Sequence, residues 1–313
     1  AEIADLSSAK ILADAAAKSN YGYDVTNATS SYLFFLNQSS AKGNTAIAEK
    51  AAKQLLKKAV ADNQVQTRIA ALKLLSGIQG DNNTKLLTDA MKDKNAQYRE
   101  AALSFAQSNL NAGSIGDWLK TFNKSGAPVK SEIIKMFGNN KVAAALPVVL
   151  QSLQSNDAPV KLAAITAAGK IGQQESLPAL LALLKTADTT DATAVKTALL
   201  SLKGESVTES AGAALADASP AGKAAIIDVL GARRDDKKLK EIIGLMNSAD
   251  PLISTSARNA VKQIKSPRQV SQLNPLLLAA SNAQDVTDIQ DGMIAGVSSF
   301  SKEEQRTRLV LEH

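Results

Sequence analysis

A basic side chain recurs along the sequence at Arg68, Arg99, Lys130, Lys161, Lys196, Lys223 and Arg258. A row of cations at repeating intervals suits phosphate groups, because each contact neutralises an anion and releases its counterion. The same row could hold carboxylates and carbonyls of the fold itself. Enzymatic chemistry has few carriers here. The chain has no Cys, and its one His is His313, the last residue. Disulfides, thiolate zinc sites and Cys nucleophiles are excluded, and the commonest general base and metal ligand is confined to the terminus. Only carboxylate or lysine chemistry remains. The sequence offers no interpretable pair of carboxylates and no glycine loop that would cradle phosphate. No catalytic residue, cofactor or metal is therefore expected.

Two aromatic features could bind ligands. Tyr21, Tyr23, Tyr32, Phe34 and Phe35 fall within 15 residues of one another. They read first as large side chains sealing a terminal core, and second as a ligand or glycan surface carried by Tyr21, Tyr23 and Tyr32. Trp118 stands beside Leu119 and at helical spacing from Phe122, which reads as core.

The elements that position these residues follow from composition and period. The chain is 45% hydrophobic but only 4% aromatic, and Ala and Leu dominate the apolar set. Runs of β-branched and aromatic residues, which mark strands, are nearly absent, so the class is all-α. The clearest unit is Val160–Gly172, with apolar residues at 160, 163, 164, 167 and 171 forming one helical stripe. Leu177-Pro178 opens the next helix, since Pro is tolerated in a first turn. The pattern recurs along the chain. The basic positions are separated by 31, 31, 31, 35, 27 and 35 residues. Two residues after each lie Ala70, Ala101, Glu132, Ala163, Ala198, Ala225 and Ala260, and eight after lie Ser76, Gln107, Gly138, Gly169, Gly204, Gly231 and Ser266. Small residues let a neighbouring helix backbone approach, so Ala163 and Ala198 are expected where successive helices cross. Pro147, Pro178 and Pro275 mark equivalent starts of the alternate helix. Glu132 interrupts the Ala column and is expected to turn outward or to mark a local shift of register, because a buried carboxylate is costly unless paired.

Val160–Gly172 resembles the second helix of a short HEAT-like repeat, the phycobilisome-lyase type, which reads roughly V-R-x-A-A-x-x-A-L-G-x-I-G. The likeness extends in degenerate form over about residues 64–300. It implies an α-α superhelix, or α-solenoid, of HEAT-like helix pairs. It also implies that the basic residue pairs along the stack with an acidic or carbonyl group of the neighbouring inter-helix turn, with Asp157 and Asn95 capping the helices of Lys161 and Arg99. In such repeats the second helix lines the concave face. Five residues after each basic position lie Lys73, Ser104, Lys135, Thr166, Ser201, Asp228 and Gln263, all polar, which makes them the candidate binding surface. Lyase activity of the phycobilin kind is disfavoured by the missing Cys and His.

The expected organisation is a helical cap or divergent first repeat over 1–62, an array of about seven to eight repeats over 63–310, and a vector-like tail at 311–313. Ser301-Lys302-Glu303-Glu304 reads as a capping box that opens a further helix stopping at that tail, which predicts a fragment of a longer protein, and the resemblance to exported bacterial proteins implies a bacterial, multidomain one. Ala1-Glu2-Ile3 fits the mature start of an exported chain, so an exported or periplasmic location is favoured over a cytoplasmic one. No apolar run reaches the ~18 residues of a membrane span. The excess of six positive charges is spread along the chain, densest at Lys50–Lys58 and Arg233–Lys240. The function expected is a non-catalytic scaffold that binds a protein partner or an attached domain. Glycan binding beside a sugar-active domain is the alternative. Nucleic-acid binding ranks third, because only Lys73 and Lys135 are cationic on the stripe.

Overall fold

The computed structural model describes residues 6–311 except 24, 62, 63, 173, 281 and 282. The segment Ala1-Glu2-Ile3, Glu312 and His313 lie outside the described residues. Among the described residues all regular structure is helical, and the helices pack in successive pairs as an α-solenoid. Two compact units, Ala1–Met136 and Phe137–His313, divide the chain within one helix.

In the first unit the helices are α1 (Ala9–Lys18), α2 (Ala28–Ala41), α3 (Thr45–Lys58), α4 (Val65–Gln79), α5 (Thr84–Ala90), α6 (Ala96–Ala106), α7 (Ala112–Lys124) and the first part of α8 (Ala127–Asn139). Helices α1 and α2, α3 and α4, and α5 and α6 pack as pairs, while α2, α4 and α6 neighbour one another as second helices. The expected boundary at 62/63 falls between α3 and α4, which pack closely. Phe35, Leu36, Ala48, Ala52, Leu55, Ala71 and Leu75 form one buried cluster across α2, α3 and α4. Segment 45–58 thus supplies the first helix of a pair whose second helix is α4.

The second unit continues with α9 (Leu146–Ser152), α10 (Ala158–Ile171), α11 (Leu177–Leu183), α12 (Thr189–Ser201), α13 (Ser206–Ala214), α14 (Pro220–Ala232), α15 (Leu239–Gly244), α16 (Pro251–Ile264), α17 (Arg268–Ala279), α18 (Ala283–Val297) and α19 (Glu303–Leu311). Helices α10, α12, α14, α16 and α18 stack in one row, and α11 packs beside α13 and α15 beside α17 in the other. Helices α10, α12, α14 and α16 start sharply because a side chain caps the unpaired N–H groups of each. Asp157 accepts from Val160 N at 3.0 Å, Asp188 from Asp191 N at 2.8 Å, Ser219 from Gly222 N at 3.0 Å and Asp250 from Leu252 N at 2.9 Å. In the first unit Asn95 does the same for Tyr98 N at 3.0 Å.

The caps from Asp157 onward stand 31 residues apart and Asn95 stands two such intervals before Asp157, and the second helices begin at 65, 96, 127, 158, 189, 220 and 251. The repeat is therefore a strict 31 residues, and two basic positions were placed out of register. Lys196 and Arg258 lie one turn further into their helices than Arg68, Arg99, Lys130, Lys161 and Lys223. The slip is four residues, so they stay on the same helix face.

The true register also explains the small residues. A Cβ at Gly138 would meet Ala167 Cα at 2.9 Å, at Gly169 Ala198 Cα at 2.7 Å, and at Gly231 Ala260 Cα at 2.7 Å. Ala163 and Ala198 are both buried, at 4% and 3% exposure. Gly204 is not part of this column. It lies beyond the end of α12 at φ +99°, a turn conformation that favours glycine. Pro275 is likewise not a helix start. Helix α17 begins at Arg268 because Val270 and Leu273 are buried there, and Pro275 falls inside it, where its missing N–H forfeits a bond to residue 271.

Candidate functional site

The cationic row is largely consumed by the fold. In the first unit Arg68 pairs with Asp93 in the turn before α6 and lies over the Tyr98 ring, 4.1 Å from its centroid. Burial opposes ionisation of Asp93, but hydrogen bonds from Arg68 and the Asn95 N–H hold its carboxyl below the usual range. Arg99 is 7% exposed and donates to the carbonyls of Asp93 and Lys94, both at 2.9 Å. Its guanidinium also grips Glu132 in a fork, Nε–Oε2 at 2.8 Å and Nη2–Oε1 at 2.6 Å. Glu132 accordingly neither turns outward unpaired nor marks a register shift. It is the carboxylate that neutralises a buried Arg, and these bonds raise the Arg99 pKa above its ordinary value.

In the second unit Lys161 reaches Asp191 at 3.0 Å, and Lys196 reaches Asp228 at 2.8 Å. Arg258 contacts Asp285 at 2.7 Å and Asp288 at 2.9 Å, and Lys262 adds a 2.8 Å bond to Asp288. The acceptors follow the register. Lys161, in the first turn of α10, meets Asp191 at the start of α12, Lys196, one turn deeper, meets Asp228 further along α14, and Arg258, equally deep, spans Asp285 at the start of α18 and Asp288 beyond it. Asp288 is buried, which opposes ionisation, yet hydrogen bonds from Lys262 and Arg258 hold its carboxyl below the ordinary value. Two row members depart from the scheme. Lys130 lies over the Phe122 ring at 5.4 Å, and Lys223 has no ion partner among the described residues.

The polar stripe has a different fate. Lys73, Ser104, Lys135, Thr166, Ser201 and Gln263 are exposed, while Asp228 is half-buried in its pair with Lys196. In the corrected register Thr197 and Asn259 occupy the 31-residue positions, with Ser201 and Gln263 one turn beyond, and all four are exposed. Thr197 and Asn259 were missed in the sequence, and the column of capping residues was the signal that would have found them. In the first unit the stripe is ammonium and hydroxyl, and in the second it is hydroxyl and amide with the carboxylate of Asp228. The Thr166 and Thr197 hydroxyls bond to carbonyls of their own helices at 3.0 Å, which leaves their oxygen lone pairs facing solvent.

The aromatic cluster does not form a common surface. Tyr32 is 8% exposed and packs with Phe35 and Leu36 in the α1–α4 core, because position 32 lies on the inward face of α2. Tyr21 is half-buried against the same core, while Tyr23, at 52%, and Phe34, at 45%, stand in solvent. Trp118 is 1% exposed, a core residue. Among the described residues no group of three or more His, Cys, Asp or Glu could hold a metal ion, and no helix is long and apolar enough to cross a membrane.

A sequence model of HEAT repeats matches residues 117–202. No curated protein matches the chain. Among solved structures, human deoxyhypusine hydroxylase in complex with glycerol is similar at 14% identity and a TM-score of 0.33, covering 82% of this chain and 96% of that one. An engineered protein is similar at 17% identity and a TM-score of 0.23, covering 84% of this chain and 95% of that one.

Proposed function

Because the chain is a HEAT-like repeat protein, we propose that it is a non-catalytic interaction module whose second-helix stripe contacts a protein partner or an attached domain of a longer polypeptide. One observation carries this reading. Six of the seven stripe residues are exposed, while the cations beside them are mostly tied up within the stack. Apart from Asp228, the stripe is therefore free to bind without dismantling a structural ion pair. Stacked repeats present such surfaces as extended rows, in which each repeat adds a small increment of contact. The absence of Cys, and of His before position 313, supports a non-catalytic reading. The glycan alternative loses its footing with Tyr32 in the core.

Site-specific photocrosslinking in cells that express the full-length protein tests the reading. A photoreactive residue at Thr166 or Thr197 should yield one discrete protein adduct, while the same group at the exposed Ala182 on α11 should not. Equal adducts from both helix rows, or none from the stripe, would overturn it.

A further inference from the structure

The positive charge is not spread evenly, as composition suggested. Residues 1–136 hold 17 Lys and Arg against 12 Asp and Glu, whereas 137–313 hold 19 against 18. Part of that excess surrounds a recess of about 580 Å³ between α5 and α7, on the first-helix row of the first unit. Lys85, Lys92, Lys94, Lys120 and Lys124 line it.

The acidic residues of the recess are already engaged. Asp89 sits between Lys92 at 2.7 Å and Lys85 at 3.1 Å, Asp117 accepts from Lys120 at 2.9 Å, and Asp93 belongs to Arg68. Lys94 and Lys124 are exposed and have no acidic partner among the described residues. They account for charge that the fold does not use.

We propose that this recess receives an acidic peptide segment, a run of Asp or Glu from a partner protein. Asp89 shows the binding mode in miniature, a carboxylate held between two ammonium groups. Lys94 and Lys124 offer a further place of the same chemistry to a guest. The lining has no arginine fork and no aromatic platform. It therefore lacks the planar bidentate grip favoured for phosphate recognition and the stacking surface favoured for bases. The inference rests on the chain's being an interaction module, but it concerns the opposite helix row from the stripe. Failure here leaves the Thr166 crosslinking result standing, and the reverse also holds.

Fluorescence anisotropy with a labelled octaglutamate peptide and the full chain decides it. Saturable binding is expected at low salt, weakening as salt is raised. Lys94→Glu with Lys124→Glu should weaken it at least about fivefold, the scale of two exposed ion pairs lost. Lys50→Glu with Lys57→Glu on α3 makes the same change in net charge and should weaken it less than about twofold, since those charges lie outside the recess. The absence of saturable binding, or an equal loss in both double variants, would overturn the proposal. So would tighter binding of an octathymidylate, which would assign the site to phosphate polyanions.

Discussion

Gly169→Ala puts the repeat register to a quantitative test. The new Cβ would stand 2.7 Å from Ala198 Cα and 2.8 Å from its Cβ. Ordinary carbon contacts are about 3.5–4.0 Å, so α10 and α12 must part by roughly 1 Å along their crossing. Overpacking of this kind costs about 1–3 kcal/mol. The same substitution also removes a helix glycine, which returns up to about 1 kcal/mol. Gly77→Ala separates the two effects, because Gly77 is a helical glycine of α4 with nothing within 4 Å of its missing Cβ. It should match or exceed wild-type stability. The difference between the variants then isolates the packing cost, with Gly169→Ala lower by about 1–3 kcal/mol. Urea unfolding followed by far-UV circular dichroism measures both, and Gly231→Ala should behave as Gly169→Ala does. Coincident midpoints for Gly77→Ala and Gly169→Ala would refute the close crossing and the register built on it.

The remaining predictions concern the ion pairs. Glu132→Ala should destabilise the first unit by about 2–3 kcal/mol, because it strands the Arg99 guanidinium at 7% exposure; a urea shift equivalent to less than about 0.5 kcal/mol, the size of an ordinary surface change, would contradict that. Asp93 and Asp288 have folded-state pKa values held below normal, so their stabilising effect is complete above the unfolded value of about 3.9 and drains away as pH falls through the depressed values. The stability gap between wild type and Asp288→Asn should accordingly close as pH is lowered from about 5 to 2. A gap that does not change with pH would mean that Asp288 is not ionised in its pair.

The helix class and the repeat were legible because a period-3.6 apolar stripe and small-residue columns survive even in degenerate copies. The register was legible only in part. Basic residues were used as its markers, yet a cation four places further along points to the same face, so Lys196 and Arg258 passed as equivalent positions. The capping residues Asn95, Asp157, Asp188, Ser219 and Asp250 have no such freedom, because the cap is tied to one N–H, and they keep the 31-residue interval. Glu132 was misread for a different reason. Its partner Arg99 is 33 residues away, and sequence alone does not reveal which distant cation faces a carboxylate. Tyr32 and Tyr23 are near neighbours in sequence with opposite fates, since one is set inward by α2 and the other stands in the connection before it.

The constant spacing of the second helices also fixes the length at which this chain can grow or shrink. A duplication or deletion spanning a whole number of 31-residue copies keeps each second helix in phase with its new neighbours. Any other length change rotates the downstream helices. It would move Gly138, Gly169 or Gly231 away from the crossing and bring a side chain against Ala167, Ala198 or Ala260, where a Cβ would stand 2.7–2.9 Å from the facing Cα. Copy number is thus a heritable variable of the molecule, whereas the length of each copy is not.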